Sequence, residues 1–422
     1  MTMNEPPPGH DHLGYPASGK LPLPQQANPT WLGHIQPEYY RRAPANNRAR
    51  VQPALPPALP AVPNGRRSAG VLGLAVAGGF LGFISLFLVL PFLLGRTGTT
   101  GFAIGFIASL IPLGTVLLTV RFIDRWEPEP RPLLIFAFVW GSVVSIAVTM
   151  LIQPYFSLVA GPASGLDYTT FAVTVQAPVV EEFAKSLGLL LLLLFAPKHF
   201  DGPVDGVVFA FTIAAGFAFT ENILYFGRAI AESSDVGTEF AVVFFLRGVM
   251  SPFAHAIFTG TTGLIMGLAA RRGRTGLSVL AFAVGLIPAM LLHSGWNRMG
   301  QDFLAQYVLV QVPIFLLAVL VIVLLRVAER RLTRQRLREY AAAGWFTASE
   351  VETFATTGGR RSALRWARSV GRGAQMKALL HAATRLAFTR QRILSGQDVP
   401  AHQRDEQHQL AEIAALRAAV VG

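Results

Sequence analysis

Eight stretches of the chain are apolar for the length of a bilayer, and polar or flexible segments separate them. They cover residues 70–94, 101–120, 132–152, 171–196, 204–226, 241–269, 276–296 and 307–325. A helix needs roughly 20 apolar residues to cross the hydrocarbon core. The pattern predicts an all-α fold, a polytopic membrane bundle of about eight transmembrane helices. Glycine and proline inside the stretches do not argue against helix, because membrane helices tolerate both.

The flanks read differently. Residues 1–67 are rich in Pro, Ala, Asn and Gln, and residues 53–60 favour polyproline II, which predicts a disordered cytoplasmic tail. The first residues have neither a basic nor an apolar region of the signal-peptide kind, so the first span is expected to act as an uncleaved anchor. Residues 328–422 turn amphipathic and polar. Helices are expected over 330–343, 363–386 and 407–420, with Gly344, Gly358, Gly359 and Gly396 as breaks. The membrane domain is thus read as 68–327, followed by a basic helical cytoplasmic tail.

Composition supports this division. Only 14% of the 422 residues are charged and 52% are hydrophobic, whereas soluble domains carry about 25% charged residues. Cysteine is absent, which excludes disulfides, thiolate metal sites and a cysteine nucleophile. The net charge is +12, and residues 326–422 hold 17 Lys and Arg against 8 Asp and Glu. That excess fits a tail beside anionic lipid; with no nucleic-acid motif present, no nucleic-acid partner is expected. Arg121, Arg125, Arg131, Lys198, Arg271, Arg272 and Arg274 fall in loops on one side, and Arg96, Arg228 and Arg298 on the other. The positive-inside rule then places both termini in the cytoplasm of a multi-pass cell-membrane protein.

Four spans carry groups that a scaffold helix would avoid. The fourth holds Glu181, Glu182 and Lys185, the fifth Glu221, Asn222 and Tyr225, the sixth Arg247, His255 and Thr259, and the seventh His293, Trp296 and Asn297. An ionised side chain at mid-membrane costs about 2.5–3.5 kcal/mol on the insertion scale. Lys185 follows Glu181 by four residues and Glu182 by three, so it can share a face with either. Pro178 weakens the helix just before them. Of nine histidines only His255 and His293 lie inside spans. Counted at about 1.5 Å per residue, Glu181, Glu221, His255 and His293 reach overlapping depths between mid-membrane and the outer half. Arg247 reads as an interfacial residue. Two function classes remain open on the residues alone: water activation for peptide hydrolysis, and proton-coupled transport using the same carboxylates and histidines.

The strings carrying these groups resemble the PrsW family of intramembrane proteases, related to the type II CAAX prenyl-protease group. They are Glu181-Glu182-Phe-Ala-Lys185, Gly216-Phe217-Ala-Phe-Thr-Glu221-Asn222-Ile-Leu-Tyr225, His255-Ala-Ile-Phe-Thr259 and His293-Ser-Gly-Trp296-Asn297. Asp124-Arg-Trp-Glu127-Pro-Glu129-Pro is similar too. The resemblance implies a membrane-embedded peptidase acting on a membrane-anchored protein, an anti-sigma factor in the family's known role. It implies that Glu181 and Glu182 supply the general base and its partner, that Lys185 holds the second carboxylate, and that Asn222 and Asn297 donate to the oxyanion or the substrate backbone. Glu221, His255 and His293 would bind a metal, expected to be zinc, or position water. The CAAX relatives, argued to work without metal, keep the second option open.

Overall fold

The computed structural model describes residues 69–232, 236–272, 275–299, 303–396 and 398–421. The proline-rich segment expected to be disordered lies outside the described residues. Among those described, every regular element is helical. They form two compact units that divide between Leu325 and Arg326.

The membrane unit begins with α1, Ala69–Ile123, which contains the first two apolar stretches. Its helical path breaks at Gly98, with φ 62° and ψ 174°. That conformation is essentially open only to glycine. The break reverses the chain. Gly70 lies against the Phe195 carbonyl, Thr97 and Gly101 both meet Gly227, and Val116, Val120 and Ile123 pack with Val204 and Val207. The two arms therefore run antiparallel along one neighbour.

That neighbour is α6, Pro203–Ala231, buried on most of its surface and central to the unit. Helix α2, Arg131–Val139, passes through a π-helical turn, Trp140–Val144, into α3, Ser145–Ala160. A Cβ at Gly141 would lie 1.8 Å from the Ile213 carbonyl oxygen. Only glycine lets the two backbones approach so closely. Helix α4, Tyr168–Phe171, leads through the π turn Ala172–Gln176 into α5, Ala177–Phe195. Trp140 ties this region to the core, its Nε1 donating to the Ala184 carbonyl at 3.0 Å.

Helix α7, Val236–Phe244, continues through the π turn Phe245–Met250 to a break at Ser251, and α8, Ala254–Ala270, follows. The span expected across 241–269 stands as one apolar stretch, with this break inside it. Pro252 explains the interruption: it has no N–H for the helical ladder and drives the preceding residue out of helical geometry. His255 consequently sits on the first turn of α8. Helix α9 is Thr275–Asn297, α10 is Phe303–Gln306, and the π turn Tyr307–Gln311 opens into α11, Val312–Ala342.

Among the described residues, six helical stretches, Gly70–Ile123, Arg131–Ala160, Pro203–Ala231, Gly237–Ala270, Gly276–Asn297 and Phe303–Ala342, are long and apolar enough to cross a membrane. The reversal at Gly98 makes two arms of the first. Helix α5 is missing from this set because it carries Glu181, Glu182 and Lys185 mid-helix. Large side chains such as Phe80, Phe87, Leu316 and Leu317 are exposed, as lipid-facing positions are.

The second unit contains the end of α11, α12 (Ala348–Ala355), α13 (Thr357–Ser369), α14 (Gly373–Leu394) and α15 (Val399–Val421). Leu337, Tyr340, Phe354, Met376, Leu379, Leu386, Leu410 and Ile413 form its own apolar core. Thr347 and Glu350 make a reciprocal cap at the start of α12. Glu350 also pairs with Arg417 at 2.8 Å. Burial pushes the Glu350 carboxyl up, and Arg417 opposes that shift.

Candidate active site

Four helices and one π turn bring polar side chains to a single buried place. Helix α5 supplies Glu181, Glu182 and Lys185, α6 supplies Glu221 and Asn222, the turn after α7 supplies Arg247, α8 supplies His255 and Thr259, and α9 supplies His293.

Adjacent helical residues point about 100° apart, so Glu181 and Glu182 enter different surroundings and share only His293, which they face at opposite ring nitrogens. Glu182 is fully committed. Its Oε1 takes Lys185 Nζ at 2.5 Å and faces His293 Nδ1 at 3.0 Å, and its Oε2 accepts from Thr259 Oγ1 at 2.8 Å. Lys185 and Glu182 are wholly buried. A buried charge is tolerable only when paired and hydrogen-bonded like this. Lys185 also lies 3.2 Å from His255 Nδ1 and 4.4 Å from the Phe217 ring centre.

Glu221 is committed as well. Its Oε2 accepts from Arg247 Nη2 at 2.9 Å and lies 2.8 Å from His255 Nε2. Arg247 Nε donates to Asn222 Oδ1 at 2.9 Å, and the guanidinium sits 3.9 Å from the Tyr225 ring centre. Glu181 differs. Its Oε2 is buried and accepts no hydrogen bond among the described residues. The nearest cationic or imidazole atom recorded for it is His293 Nε2, at 3.9 Å. That gap is too long for a direct hydrogen bond and suits a bridging water or a substrate atom.

Glu181, His255 and His293 each offer one donor atom, and these atoms lie within 4.8 Å of one another. Both imidazoles have a carboxylate on one ring nitrogen, Glu182 for His293 and Glu221 for His255. Carboxylates in that position orient metal-binding histidines. Phe258 stacks on His293 with ring centres 5.1 Å apart, and Phe217 lies 5.5 Å from His255, so one wall is apolar.

A family model described as PrsW family intramembrane metalloprotease matches residues 129–345, just over half of the chain. The chain belongs to the PrsW family. It is 32% identical over 160 residues to the Protease PrsW of Clostridioides difficile, which is 37% of this chain and 63% of that relative. Against the Protease PrsW of Oceanobacillus iheyensis it is 28% identical over 205 residues, 48% of this chain and 85% of the other. Against that of Bacillus subtilis it is 28% identical over 193 residues, 45% and 80%. The chain thus spans less than two thirds of the first of these relatives and most of the other two. No solved structure matches it.

The match to the PrsW model covers every residue of the buried cluster and stops inside the second unit. Of the expected metal ligands, His255 and His293 form a three-donor group with Glu181, while Glu221 is held by Arg247 and His255. Asn222 lies in the cluster with its amide oxygen fixed on Arg247. Asn297 lies apart, its Nδ2 donating to the Val173 carbonyl at 2.9 Å, while Ser294 Oγ donates to the Thr174 carbonyl at 2.6 Å. Pro178 and the π turn before it account for these contacts. Pro178 has no N–H for the helical ladder, and the π turn Ala172–Gln176 shifts that ladder by one residue, so α9 side chains reach these carbonyls instead.

Arg247 and Thr259 are the cluster members that sequence reasoning did not assign to the site. Thr259, one turn after His255, was detectable from helical spacing. Arg247 was not, because the break at Ser251 redirects the segment that carries it. The acidic string around Glu129 stays outside the cluster. It sits beside Asp205, sixteen residues from Glu221 and so about 24 Å along α6.

Proposed function

We propose that this chain is an endopeptidase that cuts a membrane-anchored protein, an anti-sigma factor being the substrate class the family resemblance suggests, with both of its own termini cytoplasmic. The observation that carries the reading is the uncommitted Oε2 of Glu181, buried and facing His293 across 3.9 Å.

Glu181 is the group that takes a proton from the attacking water. Among the three carboxylates of the cluster it alone has an oxygen that is buried and without a hydrogen bond. A base so placed typically contributes about 10²–10⁴-fold in rate. His293 positions the water or the scissile carbonyl through Nε2, because Glu182 holds its Nδ1, and His255, with Glu221 on Nε2, does so through Nδ1 by exchanging its contact with Lys185 for the incoming group. Lys185 and Arg247 compensate those two orienting carboxylates. Asn222, its oxygen held by Arg247, presents its amide N–H groups as donors to a developing oxyanion. The protonated Glu181 then returns the proton to the leaving amine.

The donor set of two histidines and one glutamate fits zinc in a catalytic site. Glu181, His255 and His293 would hold it, and Glu181 would then be a ligand, so its proton-accepting role belongs to the metal-free chemistry. Zinc bound there supplies Lewis acidity toward a carbonyl and lowers the pKa of bound water.

The test compares the membrane proteomes of cells carrying the wild type and Glu181→Gln. Accumulation of one intact single-span protein in the variant supports the reading. Identical proteomes, with both proteins present at equal levels, would overturn it.

A further inference from the structure

The second unit separates its charges. All eight acidic residues of 326–422 lie at or before Glu352 or at or after Asp398, so the stretch between them has none, and it carries nine Lys and Arg. Four of the nine are turned to internal partners. Arg360 donates to the Phe354 carbonyl, Arg372 to the Val420 carbonyl, Arg385 to Glu412 and Arg390 to Glu339. Arg361, Arg365, Arg368 and Lys377 are exposed and have no ion pair among the described residues. The one recorded contact of Arg365 is the Ser362 hydroxyl at 3.5 Å.

Arg361, Arg365 and Arg368 follow helical spacing, so they form one stripe on α13, while Ala363 and Ala367 on its other side are fully buried. The start of α14 extends the stripe. A Cβ at Gly373 would come within 2.8 Å of Arg368 Cγ, and Lys377 follows one turn later on the same face. Val370, 48% exposed, adds an apolar contact beside Arg368.

We propose that this face of α13 and α14 docks on the anionic phospholipid headgroups of the membrane that the chain itself spans. Charge complementarity selects a surface rich in phosphate and carboxylate. The tether selects the bilayer over a soluble acid. Arg326 follows the last apolar stretch without interruption within α11, so the headgroups are always at high local concentration. Each Lys or Arg held near an anionic leaflet strengthens binding by about fivefold, which makes four unpaired cations and one apolar contact sufficient for stable docking. The face lies beyond residue 345, where the family match ends, and the proposal does not depend on the protease reading.

The absence of cysteine provides a clean probe. Ser369→Cys, at an exposed position ending α13, gives the full chain a single thiol for a polarity-sensitive dye. The labelled protein is placed in nanodiscs of phosphatidylcholine alone or with phosphatidylserine. The proposal expects a blue shift and shielding from an aqueous quencher only with phosphatidylserine. It expects both effects to fall with added salt and to vanish in R361Q/R365Q/R368Q/K377Q, whose far-UV circular dichroism stays unchanged. Equal signals in the two lipids, or a shift that survives the fourfold substitution, would overturn it. So would a shift seen only on adding an acidic peptide or RNA.

Discussion

Lys185 Nζ lies 2.5 Å from Glu182 Oε1, and neither side chain is exposed. The pair holds the cluster together from within α5, since Glu182 also takes Thr259 from α8 and His293 from α9. Removing one partner leaves an unpaired buried charge, which costs about 3–5 kcal/mol. Lys185→Met is expected to lower the melting temperature in detergent and the amount of protein in the membrane. Glu182→Gln added to Lys185→Met should recover much of that stability, because no unpaired charge remains, and should not recover cleavage.

Glu181 is expected to behave in the opposite way. It has no hydrogen bond on Oε2 to lose, so Glu181→Gln should leave thermal stability within about 1 kcal/mol of wild type. Cleavage of a confirmed substrate should fall by about 10²–10⁴-fold. A variant that lost its fold together with its activity would move the base assignment elsewhere.

Arg247 acts through Glu221 on His255. Losing an orienting partner of this kind typically costs about 10–100-fold in activity or metal affinity. Arg247→Gln is expected to reduce the turnover rate by that factor with little change in KM. Arg247→Lys should recover only part, since an ammonium cannot bridge Glu221 and Asn222 with a planar fork. Single-turnover and steady-state cleavage assays together separate the two parameters.

Zinc is tested by dialysis against a chelator. Activity should disappear and return on adding zinc, and His255→Ala or His293→Ala should lower bound metal measured by elemental analysis. Full activity without stoichiometric metal would leave Glu181 as base and remove zinc from the scheme.

Glu129 gives a pH prediction outside the spans. Burial, then Asp205, Glu127, Asp124 and Asp201, push its carboxyl well above the ordinary 4.5. His199 Nδ1 faces it at 3.7 Å, and the Asp124 carboxylate is turned to the Glu129 N–H at 3.1 Å. A carboxyl with a raised folded-state pKa favours the fold while protonated, and that advantage is lost as pH climbs from the unfolded value through the folded one. Glu129→Gln should therefore stabilise the protein progressively above the ordinary carboxylate range and change little below it. Thermal unfolding across pH measures the difference.

Much of this was legible along the chain. Apolar length marked the helical spans, because every backbone group in a bilayer must find its partner within a helix. The cost of charge in hydrocarbon singled out Glu181, Glu182, Glu221, His255 and His293, because such residues have few reasons to be there. The helical character of the tail followed from its amphipathic spacing, but α12 escaped that pattern, Gly358 and Gly359 lie inside α13 instead of breaking it, and the helix expected over 363–386 is divided at Gly371.

What the sequence alone determined was which residues had to be inside the bundle and that they lay at compatible depths. Which residue meets which was decided only in three dimensions. Glu181 and Glu182 are identical in chemistry and adjacent in sequence, and only the rotation of α5 against α8 and α9 commits one to Lys185, Thr259 and His293 and leaves the other uncommitted. Likewise only the break at Ser251 brings Arg247 onto Glu221, and only the π turn and Pro178 together leave the Val173 carbonyl to Asn297. Spacing along a helix fixes its faces, and packing between helices fixes the contacts those faces make.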